Sequence, residues 1–198
     1  YFLQAEEQLG GSGIELMKQG GEGVPTPQAW LLAQLSTGAK VGVDARLLSA
    51  QQWRNWEKRF RSKDLTLEGT PDWFESLWAG RPTLPQPQVA PFPLEYAGRD
   101  RNDKLADLRH EVQETGATHL LLTRLDDIAW TFNLRGADIP YNPVFYSYAL
   151  VGPDFAQLFI EPEKLTAPLR RQLLQQGITC HPYAELGAAL QALEAGST

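Results

Sequence analysis

The chain has 198 residues and a formal net charge of −6, with 18 Lys plus Arg against 24 Asp plus Glu. That balance leaves no cationic excess to neutralise phosphates, which argues against nucleic acid as a partner, and no apolar run approaches the ~20 residues of a membrane span. The single cysteine, Cys180, excludes an internal disulfide framework and fits a reducing compartment, so cytoplasm is the expected location.

In chain order, YFLQAEEQL opens without a methionine or a basic-then-apolar leader. It reads as a strand over residues 1–4 with a turn or helix start through Leu9, and as a start created by truncation. Gly10 to Gly13 and residues 20–27 are loops, the second ending in PTP ahead of a helix that carries Trp30, Leu31, Leu32 and Leu35. KVGVD at residues 40–44 alternates as a strand. LLSAQQWRNWEKRF is a helix with Ser49 as its cap and Trp53, Trp56 and Phe60 on one side. Strand and helix in this alternation point to an α/β layer and not to a bundle. Trp73, Phe74, Leu77 and Trp78 form an apolar knot that is expected to pack domains together. RPTLPQPQVAPFP, residues 81–93, is dense in proline and is expected to be a stiff connector free of regular elements.

Beyond it, residues 100–114 space Leu105, Leu108 and Val112 along one helical face, with Gly116 as the stop. THLLLT, residues 118–123, is an uninterrupted apolar run expected as a buried strand. Asp126 and Asp127 open a short helix for which Thr123 is the expected cap, and Gly136 supplies the left-handed turn after Asn133. Pro140 and Pro143 keep ADIPYNP irregular. FYSYALV and AQLFIE flank GlyProAsp as a hairpin. Residues 166–176 form a helix with Pro168 in its first turn, GITC a strand, and residues 184–193 a last helix. A weak internal repeat pairs YFLQAEEQL with LFIEPEKLT and AKVGVDARLLSAQQW with QGITCHPYAELGAAL.

The stretch AW-x-x-NLRG-x-DIPYNPVF-x-SYA, within Leu125 to Val151, resembles the second domain of three-domain Xaa-Pro aminopeptidases, the aminopeptidase P branch of the creatinase and prolidase family. VPTPQAWL, VGVDARLLS, SLWAGRP, the YAG of residues 96–98 and DKLADLR resemble words of the same family. The resemblance covers nearly the whole chain and is densest from Asp100 to Ile160. It implies an α/β fold of two creatinase N-terminal-like domains with mixed sheets flanked by helices. The first would be truncated over residues 1–80, followed by the proline-rich linker over 81–93 and a complete second domain over 94–198. It also implies that catalysis belongs elsewhere. In the family a carboxy-terminal pita-bread domain holds two divalent metals, usually manganese, on aspartates, glutamates and a histidine, and removes an N-terminal residue that precedes proline. This chain is then the non-catalytic part, a partner of that domain in the same polypeptide, shaping access for peptides with proline in second position and supporting a homodimer.

Within the chain, catalytic and metal-binding residues are expected to be none. His110, His119 and His181 lie far apart in sequence without a metal-binding spacing. Asp126 and Asp127 are adjacent and point about 100° apart on a helix, which suits dipole and capping roles. GGSG lacks the Lys-Ser or Lys-Thr of a phosphate loop, Ser12 lacks a nucleophile-elbow context, and Cys180 ends an apolar strand as a buried thiol. The substrate-proximal candidates are Arg135, Asp138, Tyr141 and Asn142, because they sit in a proline-pinned loop on a rigid scaffold. The bland alternative is that Arg135 and Asp138 pair with each other to hold the turn. Two other functions remain open at this stage: a stand-alone non-enzymatic binding or assembly module, and a relative acting on another amide, such as a prolidase or creatinase.

Overall fold

A computed structural model describes residues 1–193. The chain divides into two compact units, Tyr1–Pro82 and Thr83–Thr198, each taken by itself below. The last part of the C-terminal helix expected over residues 184–193 is followed by Glu194 to Thr198, which lie outside the described residues.

The first unit opens with helix α1 (Phe2–Leu9), not the expected strand. Its apolar residues Phe2, Leu3 and Leu9 recur at helical and not alternating positions, and none of α1 is buried. Helix α2 (Pro27–Gln34) starts where Thr26 accepts from the Ala29 amide and Pro27 takes the first helical position, where no donor is missed. Strand β1 (Lys40–Asp44) leads through a one-turn 3-10 segment into α3 (Ala50–Phe60). Ser49 and Gln52 form a reciprocal capping box that satisfies two orphan donors. Strand β2 (Thr66–Thr70) then lies parallel to β1, with Val41 opposite Leu67. Phe60, Leu65 and Leu67 are the buried centre, with Trp53, Trp56, Val41 and Val43 packed around it half-buried. The apolar knot contains the short helix α4 (Phe74–Leu77), but Trp73, Phe74, Leu77 and Trp78 are all more than half exposed. One turn of helix is too short to bury aromatics on all its sides.

The second unit begins inside the proline-rich stretch. Val89 is buried and its amide donates to the Lys164 carbonyl, and Ala90–Pro91 forms strand β3 against β5 (Leu134–Arg135). The expectation that residues 81–93 hold no regular element is therefore corrected at their distal end, where Pro91 sits at a sheet edge that needs no donor from it. Helix α5 (Leu94–Ala97) precedes α6 (Arg101–Glu114), capped by Asp100 at the Asn102 amide and stopped by Gly116 at φ 77°. The main sheet runs β4-β6-β7-β8, with β4 Leu120–Leu122, β6 Tyr148–Val151, β7 Ala156–Phe159 and β8 Ile178–His181. β4–β6 and β6–β7 are antiparallel and β7–β8 is parallel, so the sheet is mixed. The expected hairpin closes through the Gly152 amide on the Phe155 carbonyl. β4 is an edge strand with Leu121 38% exposed, which corrects its reading as fully buried. Helix α7 (Leu125–Thr131) lies between β4 and β5, and α8 (Ala167–Gln175) crosses from β7 to β8 with Thr166 as its cap and Leu169 and Leu173 facing the sheet. Helix α9 (Leu186–Gln191) closes the described chain. One core of Leu105, Ile128, Phe132, Phe145, Leu158, Ile160 and their neighbours fills the space under the sheet.

Candidate functional site

The loop from Asn133 to Tyr146 is built by local chemistry at both ends. Helix α7 begins after Arg124, whose side chain pairs with Asp126 at 3.0 Å, and not after the expected cap Thr123. Its two acids occupy the first turn, where the helix dipole stabilises negative charge. The helix is left through Asn133 at φ 48°, so the left-handed step falls on asparagine and not on Gly136. Asparagine tolerates that region because its short side chain finds local partners. Gly136 is required for a different reason. A Cβ there would stand 2.6 Å from the Phe145 Cβ and 3.0 Å from the Val144 carbonyl oxygen, so the two limbs of the loop touch where any side chain would intrude.

Those limbs are laced by main-chain bonds. Gly136 donates to the Pro143 carbonyl and Asp138 to that of Val144, and Asn142 returns to Ile139. Asp138 is buried. Its Oδ2 accepts from the Tyr146 amide at 2.7 Å and from the Lys164 ammonium, both charged side chains being fully out of solvent. Asp138 Oδ1 is buried with no partner among the described residues. The alternative of an Arg135–Asp138 pair is thus replaced by a Lys164–Asp138 pair, which pins the loop to the turn after β7. Tyr141 stands at the tip, fully exposed and at φ 63°, with Asn142 exposed beside it.

Arg135 sits at the base of the loop, half-buried. Its Nη1 donates to the Ala129 and Leu134 carbonyls at 2.9 and 2.8 Å, and its guanidinium lies over the Phe92 ring at 4.0 Å. Close by, Lys104 is 2% exposed, donates to the Trp130 carbonyl at 2.9 Å and Asn133 Oδ1 at 2.6 Å, and lies 4.2 Å from the Trp130 ring centre. Asn133 in turn donates to the Arg99 carbonyl. Burial, and then the Arg135 and Arg99 charges, hold the Lys104 ammonium below the usual lysine range, with Asp100 opposing. Arg101, one turn away on α6, is also buried, which lowers its pKa, and its Nη1 has no partner among the described residues. The four predicted residues therefore form two arrangements. Asp138 is internal and braces a loop that presents Tyr141 and Asn142, whereas Arg135 belongs to a cationic and aromatic cluster. Lys104, Lys164, Asn133 and Phe92 were missed. The signal for Lys104 was present, as a lysine next to Leu105 on the buried face of α6.

Among the described residues, no three His, Cys, Asp or Glu side chains come together as a metal site. His119 lies against Phe155 and His181 stacks on Phe159, while Asp126 and Asp127 face Arg124. This donor set does not fit a two-metal centre among the described residues. Cys180 is half-buried on β8, and burial pushes its thiol pKa up, against the Arg170 charge. No helix among the described residues is long and apolar enough to cross a membrane.

The family model described as the creatinase/prolidase N-terminal domain matches residues 80–198, more than half of the chain. The chain belongs to that family. As a creatinase/prolidase N-terminal protein it is 38% identical, over 98% of its length, to the probable Xaa-Pro aminopeptidase P of Ajellomyces dermatitidis. It is 39% identical, over its full length, to that of Neosartorya fischeri. It spans 31% of each of these relatives. Its fold is similar to the crystal structure of an X-prolyl aminopeptidase from Caenorhabditis elegans, described as a cytosolic enzyme with a di-nuclear active site. The TM-score is 0.87 at 32% identity, over 96% of this chain and 31% of that one.

Proposed function

We propose that this chain is the non-catalytic N-terminal portion of a metal-dependent Xaa-Pro aminopeptidase of the cytoplasm. The observation that carries the reading is the pairing of near-complete coverage of this chain with coverage of under a third of relatives carrying that name. A carboxy-terminal domain of the same polypeptide would then hold two divalent ions, manganese by preference. A two-metal site supplies a metal-activated water and a clamp for the scissile carbonyl. The residues described here contribute walls and supports. Tyr141 and Asn142 are offered to the cleft on a loop braced from beneath by Asp138 and Lys164, and Arg135 sits at its base. The substrate class is peptides with proline in second position, and the assembly is a homodimer.

Release of the first residue from Arg-Pro-Pro, with manganese supplied, tests this directly. The purified 198-residue chain is expected to release nothing, and the polypeptide extended at its carboxy terminus is expected to release arginine. Turnover by the short chain alone sinks the proposal.

A further inference from the structure

Arg135 is fixed in place by its neighbours. Two backbone carbonyls grip its Nη1, and the Phe92 ring stacks on its plane. Together they fix the guanidinium before any ligand arrives. Its Nε and Nη2 donate to nothing among the described residues, and neither is buried. A planar fork of two parallel N–H groups matches the two oxygens of a carboxylate, and fixing it in advance removes the rotamer entropy such binding normally costs.

The surroundings point the same way. No carboxylate pairs with Arg135 or Lys104 among the described residues, while Arg99 is already paired with Asp107 at 2.7 Å. Lys104 is fully enclosed and its hydrogen bonds go only to neutral oxygens, with Asp100 acting on it at a distance, and its charge adds to that of Arg135. A buried cation without a counter-ion is normally a cost, which an incoming anion offsets. Phe92 lies against the guanidinium, and Trp130, 48% exposed, lies over the neighbouring Lys104 ammonium, apolar surface that suits the carbon skeleton carrying that anion. We propose that Arg135, backed by Lys104 and with Phe92 and Trp130 as adjoining apolar surface, binds a carboxylate presented by a peptide chain.

The site stands independently of the enzyme reading, because binding can be measured on the 198-residue chain itself. The probes are N-acetylproline and its neutral methylamide, followed by the Arg135 Nε–H and the Trp130 indole N–H resonances, the latter assigned with W130F. The acid is expected to shift both saturably and the methylamide neither. Arg135→Gln is expected to weaken the acid at least about tenfold, the scale of one charge-assisted pair. Arg135→Lys should bind between the two. Unchanged far-UV circular dichroism and unchanged remaining indole resonances report that each variant is folded. Equal shifts from acid and methylamide, no shift from either, or undiminished binding in Arg135→Gln each overturn the proposal.

In the carboxy-terminally extended polypeptide, the same variant separates two sources of the carboxylate. A lower kcat/KM for a proline-containing tripeptide acid but not for its amide assigns the site to substrate. An equal loss on both assigns it to an acidic side chain of the extension.

Discussion

The two units share one piece of local grammar and use it differently. In the first, β1 ends at Asp44, a 3-10 turn covers Ala45–Leu47, Ser49 caps α3 and β2 returns parallel. In the second, β7 ends at Phe159, Glu161 precedes a 3-10 turn over Pro162–Lys164, Thr166 caps α8 and β8 returns parallel. VGVDARLLSA and LFIEPEKLTA thus align without a gap, which re-registers the repeat expected from the sequence. Its first half, YFLQAEEQL, is a helix and has no part in it. What differs is enclosure. Leu158, Phe159 and Ile160 are within 1% of complete burial in and just beyond a strand of a four-stranded sheet, whereas Val41 and Val43 stay half-buried in a two-stranded one. The equivalent turn positions are inverted, with Leu47 75% exposed and Lys164 fully enclosed on Asp138. Local sequence makes the strand–helix–strand unit, and the number of strands around it decides what that unit can bury.

The sharpest way to break this comparison is at the enclosed turn. Asp138→Ala leaves the Lys164 ammonium buried and unpaired, and should destabilise the second unit by about 3–5 kcal/mol. Hydrogen exchange resolved by segment reads this as lost protection in β7 and β8 with β1 and β2 unchanged. Leu47→Ala, at the matching position, should change nothing measurable. Next in size are the strands themselves. Leu158→Ala removes a fully buried side chain and should cost about 2–5 kcal/mol, while Val43→Ala should cost less than half of that, and equal urea midpoint shifts would contradict the difference in enclosure. Smaller again are the caps. Ser49→Ala and Thr166→Ala should each cost about 1 kcal/mol, since each removes the hydroxyl oxygen that accepts a first-turn amide.

Acid and base should act on the fold in separate pH ranges. Arg46 beside Asp44 and Arg81 beside Asp72 hold both carboxyls below the ordinary value of 3.8. Their stabilisation is present above that value and is lost as the pH falls through the lowered folded-state values. Lys104 in the second unit adds a slope of the same sign, placed in the alkaline range. Its ammonium is disfavoured in the fold, so stability rises as pH climbs from its depressed value toward the ordinary 10.5. A pH series of segmental exchange checks both slopes, and Lys104→Met should abolish the alkaline one.

Much of the fold is written locally. Ser49 with Gln52, Thr166 with Pro168, Asp100 before α6 and Gly116 after it are signals that involve neighbours only, and each element they delimit forms. The misses involve partners distant along the chain. Nothing near Asp138 announces Lys164, which lies 26 residues on. Ala90 and Pro91 become part of a sheet only because Leu134 and Arg135 come to meet them. The candidate loop was legible from its prolines and its dense polar and aromatic residues, but the division of labour within it was not. Asp138 turned inward and Arg135 toward Phe92 for reasons set by α6, β3 and the turn after β7.

The lone thiol has a practical consequence. Because Cys180 is half-enclosed and favours its protonated state, alkylating reagents at neutral pH should find it a sluggish target. A cysteine installed by Tyr141→Cys, at a fully open tip, would outcompete it by a wide margin. A fluorophore or spin label could then be carried at the apex of the loop on an otherwise wild-type background, reporting on whatever approaches that apex without disturbing the braces beneath it.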